Sequence, residues 1–79
     1  MELRQLERFL AVYDHGSLAH AARVLGLTQQ ALSASLSNLE EGLGVRLFDR
    51  SPGGVTRATE TGEALVPHAR AQIAADRRA

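Results

Sequence analysis

Apolar residues recur at helical spacing through most of the chain. Leu3, Leu6, Phe9 or Leu10, and Tyr13 predict a first helix from residue 2 or 3 to Asp14, closed by His15 and Gly16. Ser17 is a good N-cap, and Leu18, Ala21, Ala22 and Leu25 follow at i, i+3, i+4 and i+7, which predicts a second helix over 17–25. Gly26 allows the left-handed backbone that ends a helix, with Leu27 as a buried plug just beyond it. Thr28 caps again, and Leu32, Leu36, Leu39 and Leu43 predict the buried seam of a third helix over 28–41, stopped by Gly42 and Gly44. Small Ala22 and the turn at Gly26 let the second and third helices cross closely, as a helix-turn-helix requires.

After that unit the period changes. Val45, Leu47 and, past a loop, Val55 suggest two short strands. The intervening Asp49-Arg50-Ser51-Pro52-Gly53-Gly54 is rich in turn residues, so 47–57 reads as a two-stranded wing. Thr59 is a plausible N-cap for a fourth helix, and Glu60 suits the positive end of its dipole. Leu65, Val66, Ala69 and Ile73 fall on one side of that helix, and Pro67 inside it predicts a bend or a late start. The expected architecture is mainly α: a winged helix-turn-helix over 1–58, then a long C-terminal linker helix over 59–79.

The third helix carries the candidate chemistry. Gln29, Gln30, Ser33, Ala34 and Ser37 lie away from its leucine seam, so its open side shows amides and hydroxyls without charge. An amide can match adenine N6 and N7 with two hydrogen bonds, and the start of a second helix-turn-helix helix is where side chains reach base edges. Ala34 can offer only apolar contact, for example to a thymine methyl.

Charge sharpens this picture. Nine arginines, no lysine and nine acids give a net charge of zero over 79 residues. The distribution is uneven: between Ser17 and Asn38 the only charged residue is Arg23, so nothing there repels phosphate. From Gly44 to Thr59, Arg46, Arg50 and Arg57 face only Asp49. The acids gather at Glu2 to Asp14, at Glu40 and Glu41, and around Glu60. Arg50, Arg57 and Arg23 are therefore the candidate phosphate contacts.

Other chemistries find little footing. Without cysteine there is no disulfide or thiolate metal site, and His15, His20 and His68 lack metal-ligand spacing. No nucleophile–base motif or phosphate-cradling glycine loop is present, and the expectation is a non-enzymatic domain with no cofactor and no metal. The start does not resemble a signal peptide and the apolar runs are too short to cross a bilayer, so a cytoplasmic location without membrane contact is expected.

The ordered series MELRQLERFLAV, GSLAHAARVLGLTQQALSASLSNLEEGLGVRLFDR and TETGEAL resembles the N-terminal DNA-binding domain of LysR-type bacterial transcriptional regulators, over essentially the whole chain. The resemblance implies a third helix that enters the major groove and a linker helix that pairs two protomers. It implies that Thr28 and Ser33 contact phosphate or base edges, that Gln29 faces the bases, and that Arg50 belongs to the wing. It also implies an effector-binding domain beyond the linker helix, absent from these residues, as in an excised DNA-binding domain. Three positions depart from the pattern. Gln30 stands where the family usually has proline, Ala34 where it usually has arginine, and 53–58 is about one residue longer than common wings.

A dimer through Leu65, Val66, Ala69 and Ile73 is expected because so small a chain offers them no obvious partner. The leading reading is a dimeric, sequence-specific binder of double-stranded DNA. The alternative is a winged-helix module for protein–protein interaction, favoured by the neutral charge and the arginine-poor third helix.

Overall fold

In a computed structural model that describes residues 2–50 and 56–78, the elements follow in the order α1 (Leu3–His15), α2 (Leu18–Leu25), α3 (Gln29–Leu43), β1 (Phe48–Arg50), β2 (Thr56–Ala58) and α4 (Glu60–Arg78). The helix starts are chemically specified. Glu2 and Gln5 form a capping box at α1. The Ser17 hydroxyl accepts the His20 amide at 3.0 Å, and the Thr28 hydroxyl accepts the Ala31 amide at 3.0 Å. Between α2 and α3, Gly26 turns the chain at φ 71°, and the Leu27 amide bonds back to the Ala22 carbonyl at 2.8 Å.

The end of α3 differs from the expectation. Gly42 lies inside the helix, which continues to Leu43 and stops at Gly44, φ 72°. The stop sits where the left-handed residue closes both Glu40 and Glu41 carbonyls. Leu43 is thereby carried past the core and is 39% exposed, while Leu32, Leu36 and Leu39 are buried as the seam requires.

The strands also lie later than Val45 suggests. Val45 is exposed and precedes the sheet, which pairs Phe48 with Ala58, Asp49 with Arg57 and Arg50 with Thr56, antiparallel. Glu40 explains the shift: its carboxylate accepts the Leu47 amide at 2.7 Å and the Phe48 amide at 3.3 Å, so α3 holds the chain just where β1 begins. Leu47 and Phe48 are then buried, Phe48 against Phe9 with ring centroids 5.4 Å apart. Val55 and the loop 51–55 lie outside the described residues.

The core joins Leu6, Phe9, Leu10 and Val12 of α1 to Ala21, Ala22, Leu32, Leu36, Leu39, Leu47, Phe48 and Ala69. Leu18, Leu25 and the plug Leu27 are half-buried against it. α4 starts promptly: the Thr59 hydroxyl accepts the Gly62 amide at 3.0 Å and donates to the Arg46 carbonyl at 2.6 Å. The helix then runs unbroken from Glu60 through Pro67, so there is no late start. Gly62 is buried where any Cβ would collide with the Leu47 carbonyl, which makes glycine the residue that lets α4 lie on the approach to β1.

The expectation that Leu65, Val66, Ala69 and Ile73 lack a partner within the chain is overturned. Ala69 is fully buried in its own core, and the other three pack partly buried against that core. α4 lies along α1, whose apolar stripe is wide enough to serve both the helix-turn-helix and α4. Two polar links fix the arrangement. The Tyr13 hydroxyl donates to Glu63 at 3.0 Å, and Arg70 donates to both Asp14 oxygens at 2.7 and 3.4 Å. The Glu63 hydrogen bond holds the Tyr13 phenol above its ordinary pKa, and Asp14 raises that of Arg70.

Candidate nucleic-acid interface

α3 is an uncharged helix from its cap to Leu39, presented on a leucine base. With 3.6 residues per turn, successive side chains advance by about 100°. Leu32, Leu36 and Leu39 centre the buried side, so Gln30, Ala34, Ser37 and Asn38 lie across from it, with Gln29 and Ser33 on one flank. Gln29, Gln30 and Ala34 are exposed, whereas Ser33 and Ser37 are half-buried. Thr28 is exposed too, with its oxygen engaged by the Ala31 amide and its own hydroxyl hydrogen able to donate outward.

Asn38 is an exposed residue of this face that the motif-based reading passes over. Its signal is plain spacing: Gln30, Ala34 and Asn38 are four apart and line one side of the helix. Arg8 was equally unmarked. Its guanidinium donates to the Ser35 hydroxyl at 3.1 Å, which ties α1 to α3. No pattern local to either helix announces that bond, since the two residues are 27 apart.

The remaining candidates sit on neighbouring elements. Arg23 is exposed on α2, and Arg57 is exposed on β2 opposite Asp49. Arg50 is placed by its backbone in β1, opposite Thr56, and its side chain lies outside the described residues. The structure thus gathers Thr28, Gln29, Gln30, Ser33, Ala34 and Ser37 on one helix and leaves Arg23 and Arg57 on flanking elements. Electrostatics favour an anion at the start of α3, where free amides and the positive end of the dipole coincide and no acid lies nearby in sequence. Glu40 is turned toward the Leu47 and Phe48 amides, and Glu41 is exposed only at the far end of α3.

Among the described residues no group of three His, Cys, Asp or Glu side chains could hold a metal ion, and no helix is long and apolar enough to cross a membrane.

Comparison with known proteins places this geometry. Residues 3–63 match the family model described as bacterial regulatory helix-turn-helix protein, lysR family. The chain is 46% identical over 76 residues to the SDS degradation transcriptional activation protein of Pseudomonas sp. (strain ATCC 19151), covering 96% of this chain and 24% of that protein. The chain therefore spans about a quarter of that relative's length. Among solved structures, the CbnR_DBD–DNA complex superposes with a TM-score of 0.94 at 36% identity, covering 99% of this chain and 88% of that one. The BenM_DBD/catB site 1 DNA complex gives a TM-score of 0.91 at 33% identity, covering 99% and 86%. Helix order, wing, cap chemistry and these likenesses agree: the chain belongs to the lysR family of bacterial regulatory helix-turn-helix proteins, as its winged helix-turn-helix DNA-binding domain.

Proposed function

We propose that this domain binds double-stranded DNA sequence-specifically as a homodimer, with α3 in the major groove and the β1–β2 wing on the flanking backbone or minor groove. The observation that carries the reading is the open face of α3: two leading amides, small hydroxyl residues and no charge, held on a buried leucine seam. Two of the structures it superposes on are complexes of such domains with DNA, which supports the same docking here. Gln29 and Gln30 would meet base edges first, Ala34 would offer a methyl contact, and Thr28, Ser33 and Ser37 would serve phosphate or base edges. Arg23, Arg50 and Arg57 would hold the backbone. The role is binding rather than catalysis, in the bacterial cytoplasm where the DNA is, with any effector-binding domain outside residues 1–79.

The proposed dimer seam follows α4, on a face adjusted to the packing. Ala69 is out of a partner's reach, so the seam uses the outward residues Ala64, His68, Ala71 and Ala75 with the accessible part of Leu65. Small residues at that spacing let two helices approach closely. Leu43 and Val45, 39% and 38% exposed, edge a shallow apolar groove with Ala64, Leu65 and His68 that continues this face.

Selection of duplexes from a random pool tests the DNA reading, and an enriched pseudo-palindromic site is the expected result. An unenriched pool would favour the protein-interaction alternative. For the dimer, Ala71→Glu would place a carboxylate in the seam and should yield monomers by sedimentation at tens of micromolar, about the range of a weak interface. An unmodified chain that sediments as a monomer there removes the seam.

A further inference from the structure

His15 and His20 meet at the corner between α1 and α2, with ring centroids 4.4 Å apart and planes inclined by 46°. Both are exposed. His15 is the last residue of α1, and the Ser17 cap places His20 in the first turn of α2. His20 precedes Arg23 by three positions, so the two share the open face of α2.

The charged surroundings are one-sided. On α1 the adjacent Asp14 is held by both contacts to Arg70 of α4, and the next acid of α4, Glu63, takes the Tyr13 hydroxyl. α3 carries no acid before Glu40, whose carboxylate is turned to the Leu47 and Phe48 amides. From His15 to Leu39 the only fixed charge is Arg23. In a helix-turn-helix the first helix of the pair crosses the DNA backbone, and here that helix is α2.

We propose that His15 and His20 form a paired-imidazole contact to a backbone phosphate, which extends the DNA face beyond the arginines. This rests on the DNA-binding reading above. A neutral imidazole offers one N–H donor, whereas an imidazolium offers two and a full charge. Two imidazolium rings in contact repel each other in the free domain. A phosphate lying against both turns that repulsion into two attractive contacts, so complex formation draws protons from solvent onto the pair. Binding is therefore tighter in mild acid.

Because a backbone contact is sequence-independent, the test needs only a labelled mixed-sequence duplex of about 30 base pairs. Its affinity for the full chain is measured at fixed salt between about pH 5.5 and 8, the range in which an unperturbed imidazole changes charge. Affinity should rise toward acid by up to about tenfold per pH unit for each proton taken up. His15→Gln and His20→Gln should each flatten the rise, and His20→Arg should give tight binding less dependent on pH. A flat wild-type profile, or a rise that survives the double glutamine variant, would overturn the contact alone. Absence of binding at every pH, to this duplex and to any selected site, would overturn the DNA reading and this contact with it.

Discussion

The two leading amides of α3 are chemically identical, and only their angular positions separate them. Gln30 lies across from the leucine seam, while Gln29 is on a flank and owes its exposure to being the first residue of the helix. Both can therefore reach into a groove entered by the start of α3, from different sides. Gln29→Ala and Gln30→Ala are each expected to cost about 1–3 kcal/mol on the preferred site and to flatten preference at different base pairs. Arg57→Ala should instead weaken preferred and scrambled duplexes by similar factors, since a phosphate contact carries no sequence information. Ranking single-base operator variants with each protein checks this. If both amide variants left the ranking unchanged, base readout would have to move to Asn38 or the wing.

At the scale of elements, the contact between α4 and the approach to β1 depends on a missing side chain. Gly62→Ala should destabilise the domain by about 1–3 kcal/mol, because the new Cβ meets rigid backbone at Leu47 rather than a side chain that can swing away. Chemical denaturation measures this, and an unchanged midpoint would show that α4 shifts without cost. Caps and periods place α1, α2, the turn at Gly26, the start of α3 and the start of α4, because those signals are local. The start of β1 was not legible, since it is set by the Glu40 carboxylate reaching forward to Leu47 and Phe48. The burial of Ala69 was not legible either, because it depends on α1 having room for a second neighbour. Of the candidate site, the polar face of α3 was readable from spacing alone. The Arg8–Ser35 bond that ties α3 to α1 joins residues far apart in the chain and had no local signature.

For the whole molecule, the decisive quantity is how few cations it can offer to DNA. Net charge is zero, no lysine is present, and no arginine lies between Leu27 and Val45. Arg70 is occupied with Asp14 and Arg8 with Ser35, and the proposed backbone donors are Arg23, Arg50 and Arg57. With about 2 or 3 such contacts per protomer, a dimer neutralises about 4–6 phosphates, and log affinity should fall against log salt with a slope of about −4 to −5. Amides at the starts of α2 and α3 add oriented dipoles without releasing a counterion for each contact. The measurement belongs near pH 8, where an unperturbed imidazole is neutral, and a steeper slope in mild acid would be the signature of the proposed His15–His20 contact. A dimeric complex with the expected slope would mean that specificity rests on base contacts and on joining two weak sites, each modest alone. Disruption of the proposed α4 seam should then cost far more affinity than removal of any single arginine. A slope near −10, about twice the expectation, would require cations these faces do not supply and would move the docking surface elsewhere.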